Sequence, residues 1–413
     1  MSLSGWASLR TVDGLMEGRL LLKNCSVLRS GGAVTRGNAV LIEGDTIRRV
    51  ADDATLPALP GDWVVPCEGR LVMPGLVDCH SQLLAAQRGK GSPQPEEVAA
   101  ISAHALALGL RHGVTTHLDH LHAPAFVEEA LKAQATVAQR LGARLVQSHA
   151  SSTALELDAN AAAIALSKHS LVRGAIGLSS SSKCDDAILT RAADHRHRLD
   201  CGVHLRLAEN EEDLATTFSR FGLQVASRLD AFGLLTPRTV GAFARALDRP
   251  GVQLASARRT LLAPWLDPHQ PIGFEAMLSS GVALGPCTAG ERTLWQAVAS
   301  AVIGAHTVAR AGRVQRAGEI AWQMLFDGPA RLISAVFGGR FGNVAEGDTA
   351  DLVVLDAIEA GEGVAWDRLP MAPVSWTIVG GRVVVREGQL LGIDFNALAA
   401  DAARAVESIW ART

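Results

Sequence analysis

The middle of this chain keeps changing its hydrophobic period, and that constrains the fold more than any other feature. Short apolar runs recur there: GLVDCH, GVTTHLDH, ARLVQSH, GAIGLSS, GVHLRLAE, TVGAFARAL, GVQLAS and GVALGPC. Each has the length of a buried strand. Between them lie stretches with helical spacing, such as FVEEALKAQATVAQRLG, where Phe126, Ala130, Ala133 and Val137 share one face. Eight strand-then-helix units in series predict an α/β fold, a parallel sheet closed into a (β/α)8 TIM barrel over residues 75–343.

The two ends read differently. RLLLKNCSVL, NAVLIEGDTIRRV and DWVVPCEGRLVMPG near the start are β segments parted by glycine-rich turns, as are EGDTADLVVLD and VSWTIVGGRVVVREGQLLG near the end. They predict one small β-sandwich domain assembled from both chain ends, residues 15–74 and 344–392. FNALAADAARAVESIWART follows as an amphipathic helix, residues 393–413, with Phe395, Leu398, Val406 and Trp410 as its apolar residues.

At 413 residues, 48% apolar and 20% charged, the chain suits a globular protein with a large core. A net charge of −3 makes no electrostatic case for nucleic acid or an acidic membrane surface as partner. No apolar run is long enough for a transmembrane helix, and no basic-then-apolar leader opens the sequence. The six cysteines, Cys25, Cys67, Cys79, Cys184, Cys201 and Cys287, include no Cys-x-x-Cys pair and read as thiols in a reducing compartment. A cytoplasmic location is the expectation.

The segments GRLVMPGLVDCHSQL, GVTTHLDH, AIGLSSSSKCDDAIL, VHLRLAEN, GVALGPC and EGDTADLVVLD resemble the amidohydrolase superfamily, in the branch of cytosine and guanine deaminases and triazine chlorohydrolases. The likeness spans nearly the whole chain. It implies one divalent metal, held by two histidines after the first barrel strand, one after the fifth, one after the sixth and an aspartate after the eighth. It also implies a proton-carrying glutamate near the fifth-strand histidine. Against that pattern His80 stands, but Gln82 replaces its partner. Arg206 takes the fifth-strand ligand position, while Glu209 keeps the proton carrier's. His204 lies two residues before Arg206, on the same face but deeper. Phe243 takes the sixth-strand position and Cys287 the aspartate's. Ser179 stands where relatives place a substrate-contacting histidine, and SARRT replaces the asparagine–proline–serine–asparagine loop after the seventh strand.

One imidazole cannot hold zinc against water, because zinc sites use three or four protein ligands. Arg206 is a permanent cation with no lone pair to donate. The expectation is therefore that zinc or iron binding is lost and that His80, Gln82, Ser179, Arg206, Glu209, Phe243 and Cys287 line a vestigial pocket with no cofactor. The chain would then be a non-catalytic binding or assembly protein. The alternative is a hydrolase acting on carbon–nitrogen bonds, deaminase-like or amidohydrolase-like, with a rebuilt or metal-free site. The partners implied are further copies of the chain or an active homologue, with a small molecule at the barrel mouth. Arg206 is expected to be buried and neutralised by Glu209, with Gln82 accepting a bond from it. The histidines of THLDHLHAP, His117, His120 and His122, together with Asp119, read as a hydrogen-bonded loop, and His195 and His197 as a solvated helix face.

Overall fold

The structure is a computed structural model and describes residues 18–85, 92–167, 169–267, 273–309, 317–356, 366 and 368–412. Eight barrel strands follow one another: Leu76–Ser81, Val114–Leu121, Arg144–His149, Val172–Ser180, Gly202–Leu207, Thr239–Phe243, Leu261–Pro264 and Ala283–Leu284. Each pairs in parallel with the next. The ring closes between the eighth strand and the first. The Cys79 N–H donates to the Pro286 carbonyl at 3.0 Å, the Ala289 N–H donates to the His80 carbonyl at 2.9 Å, and His80 bridges Cys287. Alternate residues of these strands, among them Val77, Leu118, Val146, Val240 and Leu261, fill the interior with apolar side chains.

One expected strand is a helix. GVQLAS lies within the helix Arg249–Ala257, whose start is written in the sequence just before it. The Asp248 side chain accepts from the Gly251 N–H at 2.9 Å, and Pro250 sits in the first turn. The seventh strand is Leu261–Pro264 instead. SARRT therefore leads into that strand, and the residues following it are Trp265, Leu266 and Asp267.

The chain ends do build one unit, whose strands are hydrogen-bonded into one nine-stranded sheet. Its order runs Gln389–Leu390, Arg382–Arg386, Val374–Val379, Leu352–Leu355, Leu71–Pro74, Arg19–Leu28, Val34–Glu43 and Thr46–Asp52, with Trp63–Pro66 also paired to Arg19–Leu28. A single residue, Gly75, separates this sheet from the barrel. A Cβ there would fall 2.4 Å from the Thr115 side chain, so only glycine lets the first two barrel strands approach. The Gly75 N–H donates to the Asp351 carbonyl at 2.8 Å. The Asp351 carboxylate in turn accepts from Arg144 Nε at 2.8 Å and Nη2 at 2.9 Å, with both side chains 6% exposed. The Arg144 guanidinium also lies about 5 Å from the ring centres of Phe337 and Phe341.

The helix Phe395–Trp410 packs along the helix Pro95–Arg111, burying Leu398, Ala402, Ala405 and Ile409. Arg412 clamps Glu97 with bonds of 2.6 and 2.7 Å, and the Arg111 guanidinium lies 4.5 Å from the centre of the Phe395 ring. Most of the apolar face of this helix thus covers its own barrel, while Trp410 stays exposed. Among the described residues no helix is long and apolar enough to cross a membrane.

Breaking one side of a buried ion pair leaves an uncompensated charge and costs ~3–5 kcal/mol. Asp351→Ala is accordingly expected to lower the urea-unfolding free energy by about that amount. Arg144→Met combined with Asp351→Leu should lose clearly less than the sum of the single changes.

Candidate functional site

Three imidazoles meet on the barrel axis: His80 from the first strand, His120 from the second and His204 from the fifth. The strand period aims them there. His120 is two residues beyond the inward Leu118, and His204 lies between Val203 and Leu205, which pack outward against the helices. Ring centres are 5.6 Å apart for His80–His120, 5.0 Å for His80–His204 and 4.8 Å for His120–His204. All three side chains are buried.

Their hydrogen bonds follow a direction set from below. Ser148 Oγ donates to the Asp119 carbonyl at 2.8 Å, so its lone pairs face His204 Nδ1–H at 3.3 Å. His204 Nε2 then accepts from His80 Nδ1–H at 2.8 Å. This leaves His80 Nε2 with a bare lone pair, buried and without a partner, and neither ring nitrogen of His120 has one. An unsatisfied buried polar atom costs ~1–3 kcal/mol, so each such atom requires an explanation. Burial, the His204 ring and Arg206 push His80 well below the usual imidazole range. Burial and the same neighbours do so for His120, and burial with Arg206 brings His204 to about 3. All three are neutral at pH 7, the form in which imidazole binds metals.

The surrounding backbone is strained where the strands end. Ala208, Phe243, Ala244 and Ala289 all have positive φ, at 49°, 66°, 46° and 48°. Such residues cost on the order of 1–3 kcal/mol each and cluster at functional sites. The Phe243 ring stands edge-on to His80, with centres 5.0 Å apart. Phe243 also borders a mouth cavity of about 100 Å³ with Arg245, Pro264, Trp265 and Asp267.

Of the pocket expected from the sequence, His80 stands against Phe243 and bridges Cys287, and the Arg206 guanidinium lies 5.6 Å from the Phe243 ring centre, while Gln82 and Ser179 separate from them. Arg206 Nη1 lies 3.4 Å from Glu209 Oε2, but the two side chains are 26% and 30% exposed, so the pair is partly solvated and not buried as expected. Gln82 borders a different cavity, beside Asp78 and Thr288, and makes no bond to Arg206 among the described residues. The reason is an irregular register between the first two strands from Asp78 to Ser81, which breaks the simple alternation that would pair residue 82 with residue 80. Cys287 packs in the barrel core, where burial, then Asp78, holds its thiol far above the usual range, so it is no nucleophile. Ser179 bonds through its backbone N–H to the Ser151 carbonyl.

THLDHLHAP is mostly strand, not loop, and its residues divide between faces. His120 joins the axis. Asp119 faces outward, accepting from the Leu83 N–H, Ser81 Oγ and Gln134 Nε2, and the His122 ring lies parallel to His149 at 6.0 Å. His195 is also not solvated, since Asp158 and Arg198 flank its ring at 2.7 Å each. Although three imidazoles meet on the axis, both nitrogens of His204 are engaged, and among the described residues no group of three His, Cys, Asp or Glu side chains is arranged to hold a metal ion.

No family profile matches the chain. Its sequence is 25% identical over 288 residues to the 5'-deoxyadenosine deaminase of Methanothrix thermoacetophila, covering 64% of this chain and 65% of that protein. It is 24% identical over 263 residues to the 8-oxoguanine deaminase of Pseudomonas aeruginosa, covering 54% and 59%. The chain thus spans less than two thirds of the length of these curated relatives. Two solved structures share its fold. An adenosine deaminase from Xanthomonas campestris with bound zinc superposes with a TM-score of 0.79 at 22% identity, covering 94% of this chain and 98% of that one. An atrazine chlorohydrolase from Arthrobacter aurescens complexed with zinc gives 0.77 at 17% identity, covering 94% and 100%. These zinc-bound neighbours overturn the expected loss of zinc or iron, and the deaminase relatives favour the hydrolase alternative over the non-catalytic reading. His120, expected in a hydrogen-bonded loop, is instead a strand residue that the barrel brings beside His80.

Acid sensitivity follows from the buried imidazoles. His117 and His149 are pushed down to about 4, chiefly by burial, whereas the unfolded chain protonates its histidines below about 6.5. Between those values the unfolded state binds more protons, so stability rises with pH and is lost as pH falls. His80, His120 and His204 act in the same sense. Asp78 and Asp119, raised to about 7 and about 6 chiefly by burial, act oppositely, favouring the folded state at low pH. Five imidazoles outweigh two carboxyls. The thermal midpoint is expected to be lower at pH 5 than at pH 7.5 by ~5 °C, as read by calorimetry.

Proposed function

We propose that this chain, an amidohydrolase-superfamily barrel of the deaminase and chlorohydrolase branch, is a hydrolase that cleaves carbon–nitrogen bonds of small heterocyclic amines at a rebuilt centre on the barrel axis. The observation that carries this reading is the pair of buried, neutral imidazoles with open nitrogens, His80 and His120. Such atoms are costly in an idle core and are the donors a divalent ion takes.

The donors match such an ion in kind, as imidazole nitrogens, but they number two where zinc sites use three or four protein ligands, and they stand elsewhere than the resemblance implies. His80 through Nε2 and His120 would hold it. His204, accepting from His80 Nδ1–H, would fix the tautomer from outside, the usual role of a partner behind a metal-bound histidine. A divalent ion bound there supplies a water of lowered pKa.

The remaining work falls to the chain's own side chains. Glu209, two residues beyond the end of the fifth barrel strand and partly exposed, would take a proton from the attacking water and return it to the leaving amine. Arg206, at 3.4 Å, steadies that carboxylate. Phe243 and Trp265, with ring centres 6.2 Å apart beside the mouth cavity, offer faces against which a planar heterocycle stacks.

The test is elemental analysis of protein purified without chelator, beside an ammonia-release screen over aminopurines, aminopyrimidines and aminotriazines. We expect a divalent transition metal bound to the chain and depleted in His80→Ala and His120→Ala. Glu209→Gln should keep the metal and lose ~10²–10⁴-fold in kcat. Protein with neither metal nor turnover would overturn the reading. Because the Arg206–Glu209 pair is solvated, Glu209→Gln should change folding stability by less than ~1 kcal/mol.

A further inference from the structure

A second cavity lies outside the barrel wall, between the first strand and the helices Pro95–Arg111, Leu294–Ala309 and Phe395–Trp410. Its volume is about 760 Å³, within the range of small-molecule sites. Ile101, Leu108, Leu294, Trp295, Ala402 and Val406 make its walls apolar. Polar groups also border it: Asp78, His117 and Thr288, and the charged side chains of Glu291, Arg292 and Glu407.

His117 is the unexplained member. Its side chain is 5% exposed, yet neither ring nitrogen has a hydrogen-bond partner. The Asp78 Oδ2 atom lies 3.9 Å from His117 Nδ1, too far for a hydrogen bond. Asp78 is also engaged elsewhere, accepting from Thr288 Oγ1 and from the backbone N–H groups of His80 and Thr288. Room for the imidazole is left by Gly109, where a Cβ would fall 2.4 Å from His117 Nε2. A buried ring kept without a partner beside a ligand-sized apolar space is a binding group waiting for its complement.

We propose that this cavity is a second small-molecule site, for a compact, mainly apolar ring compound with one N–H or O–H donor that bonds His117, as in an indole or a phenol. The apolar walls favour a neutral ring, which gives up little hydration on entering. A neutral imidazole accepts one hydrogen bond, so one donor on the ligand suffices. The site does not depend on chemistry at the barrel axis, because His80 is not among the residues bordering it.

The test uses indole and indene, which share a shape but differ in the N–H group, with binding to the full chain measured by calorimetry and ligand-observed NMR. We expect saturable binding of indole at one site, at least ~10-fold tighter than indene, the ratio set by about one hydrogen bond. His117→Leu should remove that preference while keeping indene binding. Ala105→Trp, which fills the cavity from one helix, should abolish binding of both. Ala403→Trp fills it from the opposite helix and serves if the first variant does not fold. No saturable binding of either probe, equal affinity for the two, or binding retained in both filled variants would overturn the proposal. None of these outcomes depends on turnover at the axis, so this site and the proposed hydrolase activity stand or fall separately.

Discussion

A buried ion pair between Arg144 and Asp351 ties the small sheet to the barrel, and the geometry above it depends on that joint. The carboxylate of Asp351 takes the Arg144 guanidinium and the Gly380 N–H, while its carbonyl takes the Gly75 N–H. Gly75 is the only residue between the last strand of the amino-terminal β segment and the first barrel strand. The joint therefore sets where that strand enters the barrel, and with it the height at which His80 arrives. Two desolvated charges contribute more to a unique docking than to net stability, since an apolar pair of the same shape would hold about as well.

The barrel axis carries its polar groups on other strands than the resemblance implies. Phe243 and Cys287, which the resemblance places at ligand positions, are core residues packed with Val77, Val146 and Leu261. His120 comes beside His80, and His204, one pleat deeper than Arg206, supports His80 from below. Strained φ values at Ala208, Phe243, Ala244 and Ala289 ring this group, and the apolar interior beneath offsets their cost.

Two environments for small molecules result, and their chemistry differs. The mouth is narrow and carries charge, with Arg245 and Asp267 beside the Phe243 and Trp265 rings and the Arg206 guanidinium 5.6 Å from the Phe243 ring centre. The outer cavity is wider and mainly apolar, with one unpartnered imidazole. The two differ mainly in size and in how much apolar wall they offer a ligand.

Much of this protein was determined by its sequence alone. Local period and turn chemistry depend on neighbours in the chain, so RLLLKNCSVL became the strand Arg19–Leu28, and the barrel alternation held for seven of the eight predicted strands. The failure at GVQLAS is local too: a short apolar run fits strand or helix, and the Asp248–Pro250 cap decides for helix. The place of His80 on the first barrel strand was legible because it sits at a fixed offset within one strand. What only the tertiary structure decided is which imidazoles meet. His80 and His204 are 124 residues apart, and their contact depends on barrel closure, on the stagger of each strand and on the irregular register after Asp78 that sends Gln82 elsewhere. A register is a property of paired strands, and no single strand carries it.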